Sequence, residues 1–230
     1  MFYTLKRLKI GSTGDIGCYT LGALPPLSAM DTCICMGASI GNALGMEKAM
    51  GAKAAEKMVA VIGDSTFLHS GMTGLLDVVY NRGTTTVVIV DNRTTAMTGH
   101  QPHPGTGSTL KGQPAPAVDL ETLCRGLGVD HVCTVDPHDL KATRQAVKAA
   151  VKHNGPSVVI TRRPCVLLRE FRVEREPLTV DQEVCIACGT CLDLGCPAIV
   201  RQDNGRALIQ KFLCAGCGLC RQVCPKGAIS

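Results

Sequence analysis

Two apolar runs constrain the fold of this 230-residue chain more than any other feature of its sequence. Residues 59–62 and 87–90 are continuous apolar runs rich in β-branched side chains, and polar residues follow each of them, Asp64 after the first and Asn92 after the second. Such runs are typical of parallel strands that are buried on both faces. Between them, residues 67–82 carry apolar side chains at helical spacing. The pattern predicts a βαβ unit whose two strand ends face one ligand.

The residue types at these strand ends favour a divalent cation. Asp64 and Asn92 supply the oxygen atoms that a hard cation prefers, and a cation with few protein ligands usually also binds phosphate oxygens. The two strand ends therefore predict a metal-bound diphosphate. The residues alone also fit an ordinary Rossmann-like strand end in which Asp64 only caps a helix.

An α/β alternation continues over residues 119–164. Asp119 is predicted to cap a short helix, residues 131–135 to form a strand, residues 137–153 an amphipathic helix and residues 157–161 a last buried strand. A second strand–helix repeat after the βαβ unit indicates a parallel sheet with helices on its faces.

Two loops are candidates for contact with the ligand. The glycine-rich residues 11–18 allow backbone N–H groups to approach an anion, although a plain tight turn explains them equally well. Residues 93–107 form a long loop rich in Gly and Pro, which we expect to close over the ligand. Within this loop, His100 and His103 could serve in proton transfer or could simply form hydrogen bonds within the loop, and the sequence favours neither role.

The C-terminal region contains eight cysteines in two repeated motifs. Each motif is Cys-x2-Cys-x2-Cys followed by Cys-Pro, with four residues before the last cysteine in the first motif and three in the second. This repeat is typical of ferredoxins with two [4Fe-4S] clusters, in which the fourth cysteine ligates the other cluster. A zinc site would also use about four thiolates per ion. It would not require a repeated group of three cysteines followed by Cys-Pro, so this repeat favours iron–sulfur clusters over zinc. The predicted ligand sets are Cys185, Cys188, Cys191 and Cys224 for one cluster, and Cys214, Cys217, Cys220 and Cys196 for the other.

These patterns predict an α/β fold in two domains. A parallel-sheet domain is expected over residues 1–165 and a small α+β ferredoxin-like domain with two clusters over residues 179–230. The connector, residues 166–178, alternates Arg with Glu and differs in composition from both neighbours.

Composition excludes several classes of protein. The chain is 45% hydrophobic and 19% charged, as in globular proteins, and lacks both an apolar run of membrane-spanning length and a signal peptide, so a cytoplasmic protein without a membrane segment is expected. In a reducing compartment, 14 cysteines indicate metal ligation, although Cys33 and Cys35 are spaced too closely for that and are expected to be buried. The net charge of +5 is spread along the chain and aromatic residues are only 3%, which argues against nucleic-acid binding.

Four segments of the chain resemble the alpha subunits of indolepyruvate ferredoxin oxidoreductases, in the 2-oxoacid:ferredoxin oxidoreductase family. They are residues 14–19, 31–39, 63–67 and 91–99. The resemblance implies that an arylpyruvate and coenzyme A are converted to an aryl-acetyl-CoA and CO₂, with electrons passing through the clusters to a soluble ferredoxin. It also implies a smaller beta subunit as partner. Family alpha subunits have a long N-terminal portion, so we expect this chain to be the C-terminal part of such a subunit and not to turn over alone.

The same resemblance assigns the cofactor site. In the family's signature, Mg²⁺ holds thiamine diphosphate and is ligated by the Asp side chain, the Asn side chain and a backbone carbonyl, which correspond here to Asp64, Asn92 and Thr94. The catalytic base is unknown, and His100 is a candidate. The residues expected to bind the cofactor are Gly63, Asp64, Ser65, Asn92, Thr94, Thr98 and Gly99, with Gly17 and Cys18 of the glycine-rich turn.

Two other functions fit the same residues. One is an oxidoreductase for a different 2-oxoacid, such as pyruvate or a branched-chain acid, because the residues that select the substrate cannot be read from the sequence. The other is an electron-transfer protein whose first domain is not catalytic. The presence of both Asp64 and Asn92 argues against such a degenerate first domain.

Overall fold

A six-stranded parallel sheet occupies most of the chain in a computed structural model that describes residues 1–51, 57–171 and 175–230. Its strand order is β2-β1-β3-β4-β6-β5, and every neighbouring pair is parallel. The strands are β1 Gly11–Gly14, β2 Thr32–Cys33, β3 Met58–Gly63, β4 Thr86–Asp91, β5 His131–Val135 and β6 Ser157–Arg162.

The two apolar runs form the adjacent central strands β3 and β4, as predicted. Gly63 at the end of β3 is paired with Val90 near the end of β4, so both strands end at the same edge of the sheet. Residues 59–62 are fully buried because helices cover both faces of the sheet. The predicted βαβ unit is therefore confirmed.

Helices cover both faces of this sheet. On one face, α2, α3 and α4 enclose the core that contains Phe67 and Ile89, and on the other α1 and α5 enclose the core that contains Leu5 and Val159. The helices are α1 Phe2–Leu8, α2 Ala38–Met50, α3 (Asp64–Thr66, a π-helical turn Phe67–Gly71, then Met72–Tyr80), α4 Leu120–Gly126 and α5 Leu140–Lys152, with a 3₁₀-helix at Cys18–Ala23.

Two helices differ in detail from the sequence prediction. Helix α3 starts earlier than predicted and contains a π-helical turn, which ends at Gly71, where an added Cβ would lie 2.7 Å from Cδ1 of Ile62. Helix α5 starts three residues later than predicted because the carboxylate of Asp139 accepts a hydrogen bond from the backbone N–H of Ala142 and caps the helix there.

The C-terminal region has its own small core, formed by residues such as Leu178, Ile199 and Ile229. Its regular elements are strands β7 Ile199–Arg201 and β8 Ala207–Ile209, which are antiparallel, helix α6 Leu219–Val223, and 3₁₀-turns at Leu192–Leu194 and Lys211–Leu213. A further 3₁₀-turn, Arg169–Phe171, lies in the predicted connector, of which residues 172–174 are outside the described residues. The α/β class with a small mixed region at the C-terminus is confirmed.

Among the described residues, no helix is both long enough and apolar enough to cross a membrane.

Candidate functional site

Asp64 is a buried residue at the carboxyl edge of the sheet, the edge at which the parallel strands end. It is 3% exposed and is the first residue of α3, directly after β3. Its Oδ1 accepts a hydrogen bond from the backbone N–H of Ser65 (2.9 Å), and its Oδ2 accepts one from the backbone N–H of Arg93 (2.9 Å), on the loop that follows β4. Because a carboxylate offers about four acceptor positions, these two bonds orient Asp64 without saturating it.

The loop after β4 is tied to the start of α3. Oδ1 of Asn92 accepts a hydrogen bond from the backbone N–H of Thr94 (3.1 Å), and the hydroxyl of Thr95 donates to the hydroxyl of Ser65 (2.8 Å). The fold thus places Gly63, Asp64 and Ser65 beside Asn92 and Thr94, as the sequence predicted. The carboxylate of Asp64, the side-chain oxygen of Asn92 and the backbone carbonyl of Thr94 are ligand types that fit Mg²⁺.

The electrostatics of this edge also fit a cation. The pKa of the neighbouring Asp91 is raised mainly by burial and further by the charge of Asp64, while Arg162, whose Nε lies 2.7 Å from Asp91 Oδ2, acts in the opposite direction. The charge of Asp64 thus opposes that of Asp91, which pairs with both Arg162 and Arg93. A divalent cation bound by Asp64 would relieve that repulsion.

The structure separates the two candidate histidines. His103 is only 9% exposed, and its Nε2 lies 3.2 Å from Oδ2 of Asp64. His100 instead lies near Cys165, with Nε2 3.9 Å from the Sγ atom. Sequence reasoning could not choose between a proton-transfer role and a hydrogen-bonding role for these histidines, because the path of the loop cannot be read from the sequence.

Four predicted site residues make no hydrogen bond to Asp64 or Asn92 within the described residues. Thr98 and Gly99 lie in an exposed turn in which the Thr98 hydroxyl donates to Gln101 Oε1 (2.6 Å). The backbone N–H of Gly17 donates to the hydroxyl of Thr20 (3.1 Å), so it is engaged within its own turn. Cys18 is exposed. Their part in cofactor binding stays a prediction.

The expectation that Cys33 and Cys35 are buried is wrong, because both are exposed. β2 is a two-residue edge strand, Thr32–Cys33, and α2 begins only at Ala38, and residues 34–36 between them are exposed.

Tyr19 is a site residue that sequence reasoning missed. Its ring covers Gly63, where an added Cβ would lie 3.1 Å from Tyr19 Cε1, and its hydroxyl is buried without a hydrogen-bond partner among the described residues. Burial, followed by the charge of Asp15, raises the pKa of Tyr19. The signal in the sequence was its position directly after the glycine-rich residues 11–18.

The cysteines of the C-terminal region fall into two groups. A cavity is lined by Cys185, Cys188, Cys191 and Cys224, the last of which comes from the second motif.

The second group contains Cys196 from the first motif. Burial raises the pKa of Cys196, and the nearby Cys217 and Cys214 thiols raise it further. Burial also raises the pKa of Cys220, to about 11, with Cys217, Cys196 and Cys214 adding to it. The grouping agrees with the predicted exchange of the fourth cysteine, while the ligation itself stays a prediction.

Across residues 1–51, 57–171 and 175–230, no three His, Cys, Asp or Glu side chains are arranged to ligate a single metal ion. A [4Fe-4S] cluster imposes a different requirement, because each of its thiolates binds a different iron of the cube.

Two protein-family models match the chain. The thiamine pyrophosphate enzyme C-terminal TPP binding domain covers residues 15–161, and the 4Fe-4S binding domain covers residues 208–230. The first model covers β2 to β5 and nearly all of β6, including the residues around Asp64 and Asn92, and the second covers the second cysteine motif.

Curated relatives match almost the whole chain. Indolepyruvate oxidoreductase subunit IorA from Methanothermobacter marburgensis is 44% identical over 100% of this chain, and the same subunit from Pyrococcus horikoshii is 45% identical over 93%. The chain spans only 38% and 36% of these relatives, respectively. A ferredoxin from Moorella thermoacetica is 59% identical over 12% of this chain and 41% of its own length.

Solved structures share the fold. A 2-oxoglutarate:ferredoxin oxidoreductase from Magnetococcus marinus, solved with 2-oxoglutarate, coenzyme A and succinyl-CoA bound, superposes with a TM-score of 0.60 at 18% identity over 71% of this chain and 61% of that one. Benzoylformate decarboxylase from Polynucleobacter necessarius gives a TM-score of 0.51 at 15% identity over 71% of this chain and 33% of that one.

These relatives confirm, over nearly the whole length of the chain, the resemblance that four short segments indicated. The chain belongs to the thiamine pyrophosphate enzymes through its C-terminal TPP binding domain, carries a 4Fe-4S binding motif, and is similar over nearly its whole length to part of indolepyruvate oxidoreductase subunit IorA.

Proposed function

We propose that this chain is the cofactor-binding and electron-transfer part of a 2-oxoacid:ferredoxin oxidoreductase that acts on arylpyruvates such as indolepyruvate. One observation carries the proposal: a single chain combines a buried carboxylate at the edge of a thiamine-type sheet with two groups of four cysteines. The sheet supports decarboxylation chemistry, and the cysteines support the removal of electrons one at a time.

The residues of the carboxyl edge bind and orient the cofactor. Asp64, Asn92 and the backbone carbonyl of Thr94 would hold Mg²⁺ against the diphosphate, because their oxygens suit that ion. Bound thiamine diphosphate supplies the electron sink that decarboxylation of a 2-oxoacid requires. The remaining predicted contacts lie in the segment after β1 (Gly17 and Cys18) and in the loop after β4 (Thr98 and Gly99).

The C-terminal region would hold two [4Fe-4S] clusters through its eight cysteines. The overall reaction releases two electrons: one 2-oxoacid and one coenzyme A give one acyl-CoA, one CO₂ and one proton, while two ferredoxins are each reduced by one electron. A cluster suits this step because it accepts a single electron.

The corresponding division of the chain is a thiamine diphosphate domain at 1–165, a connector at 166–178 and a two-cluster domain at 179–230.

The proposed partners are a smaller beta subunit and a soluble ferredoxin, in the cytoplasm. A cleft beside Cys214 and Cys217 is lined by Arg163, Arg169 and Lys211, among other residues. These positive side chains suit an acidic electron carrier that must approach the cluster closely. We expect ferredoxin reduction to slow as salt screens this attraction.

The test is 2-oxoacid-dependent reduction of a viologen dye under anaerobic conditions, with the chain co-expressed in its full-length gene context with the neighbouring subunit. Indolepyruvate and phenylpyruvate should reduce the dye in the presence of coenzyme A, thiamine diphosphate and Mg²⁺. Activity with pyruvate or branched-chain acids, and none with arylpyruvates, would overturn the substrate class. Reduction that is independent of thiamine diphosphate would overturn the reaction itself.

A further inference from the structure

His103 lies in a braced turn of the loop after β4. Its carbonyl oxygen accepts hydrogen bonds from both the backbone N–H and the hydroxyl of Thr106, each at 2.8 Å. The carbonyl of Gly105, within the same turn, accepts a hydrogen bond from Nη1 of Arg93 (3.1 Å). Arg93 also donates its backbone N–H to Asp64. Arg93 therefore links the turn to the carboxylate.

The hydrogen bonding of the ring fixes its tautomer. Nδ1 of His103 accepts a hydrogen bond from the backbone N–H of Gly105 at 3.1 Å, in a buried position. A neutral imidazole whose Nδ1 accepts must carry its proton on Nε2. The N–H of the ring therefore lies on the Nε2 side, which is the side that approaches Asp64.

This N–H is a buried hydrogen-bond donor that is not satisfied within the described residues. Nε2 lies 3.2 Å from Oδ2 of Asp64, yet within the described residues it has no well-aligned hydrogen-bond partner. The side chains of His103 and Asp64 are only 5% and 4% exposed, so water does not replace that partner readily. The buried Nε2–H is therefore available to hold Oδ2 of Asp64 when this carboxylate ligates a metal ion.

We propose that His103 is a positioning residue that holds Oδ2 of Asp64 through its Nε2–H, so that Oδ1 is presented to the metal ion of the diphosphate. The inference rests on the proposed function, because it needs a metal ion at Asp64. Outer-shell groups of this kind orient a ligand, and their loss typically weakens metal binding by about 10- to 100-fold. His103 would also couple the loop to the metal, since the side chain that holds Asp64 belongs to the loop itself.

The test uses Mn²⁺ as a spectroscopic probe, titrated by electron paramagnetic resonance into the anaerobically purified full chain with thiamine diphosphate. His103→Phe keeps a ring of similar size but has no donor, and it should weaken Mn²⁺ binding by about 10- to 100-fold. His103→Gln can place an N–H near the Nε2 position and should restore most of the affinity. His103→Asn can replace only the Nδ1 acceptor for Gly105 and should not restore it.

The matched control is His153→Phe, because His153 stacks on His131 at the far end of the sheet and should leave Mn²⁺ affinity unchanged. Equal affinity for wild type and His103→Phe would overturn the inference, as would rescue by Asn instead of Gln, which would assign His103 to the turn alone. Failure of the proposed function gives a separate result, since the wild-type chain would then show no Mn²⁺ binding that depends on thiamine diphosphate.

Discussion

At the scale of single residues, Asp64 is the side chain on which the cofactor site depends most. It is buried, and it receives N–H groups from α3 and from the loop after β4, so its position is set by two elements at once. Asp64→Ala should abolish Mg²⁺-dependent binding of thiamine diphosphate, because the site loses its only ionised ligand in the predicted set. Isothermal titration calorimetry with and without Mg²⁺ measures this directly.

Asp77→Ala is the matched control, because Asp77 is an exposed carboxylate on the same helix. It should bind the cofactor as the wild type does. Equal affinities for wild type and Asp64→Ala would show that the diphosphate does not use this strand end.

His131 gives a pH-dependent prediction. Burial lowers its pKa below 6.5, and the neighbouring His153 and Arg125 lower it further. The folded chain therefore binds fewer protons at His131 than the unfolded chain does, so this residue's contribution to the free energy of unfolding rises with pH and is complete above pH 6.5. His131→Phe keeps the stacking on His153 but removes the titration.

Urea unfolding from about pH 5 to about pH 8 tests this. Wild type should gain stability relative to His131→Phe as the pH rises through that window. A difference between the two proteins that stays constant, or that shrinks with increasing pH, would contradict the assigned direction of the pKa shift.

At the scale of elements, the sequence predicted correctly those strands and helix ends that are determined by neighbouring residues in the chain. The continuous apolar runs identified β3, β4 and β6 because a strand buried on both faces needs no alternation, and Asp119 marked the start of α4 through its side-chain cap. The π-helical turn of α3 ends at Gly71, where the sheet leaves no room for a side chain, and the place of His103 follows from the path of the loop after β4. Both are tertiary effects that no spacing in the sequence reports.

The junction between α2 and β4 depends on one buried carboxylate. Oε1 of Glu47 accepts a hydrogen bond from the backbone N–H of Thr84 (2.8 Å), and Oε2 accepts one from the hydroxyl of Thr85 (2.6 Å). Glu47→Ala should lower the free energy of unfolding by about 3 kcal/mol, since it leaves two donors in this part-buried junction without their acceptor.

Chemical denaturation measures this change, and Glu121→Ala is the control. Glu121 pairs with Arg125 (3.0 Å) and accepts a hydrogen bond from the hydroxyl of Thr134 (3.1 Å), and because both contacts are solvent-exposed its loss should cost about 1 kcal/mol or less. A similar small loss for both variants would show that the Glu47 bonds do not hold the junction together.

At the scale of the whole molecule, the two cysteine motifs are predicted to depend on each other. Cys185, Cys188 and Cys191 share a cavity with Cys224, whereas burial and the nearby thiols of Cys214 and Cys217 raise the pKa of Cys196. Each motif would therefore supply three ligands to one cluster and one ligand to the other. The repeat in the sequence suggested this exchange, because a chain that wraps one cube with three closely spaced cysteines cannot return to its fourth corner within a few residues.

The last prediction follows from that exchange. Anaerobically reconstituted protein should bind about eight irons, and Cys224→Ala should damage the cluster held by Cys185, Cys188 and Cys191, whereas Cys196→Ala should damage the other. Electron paramagnetic resonance during a redox titration distinguishes the two clusters if their potentials differ. Cys124→Ala, at a buried cysteine of the sheet domain, should keep both clusters. If Cys196→Ala perturbs only the cluster of its own motif, the additional residue before Cys196 has changed the ligation, and the two motifs bind their clusters independently.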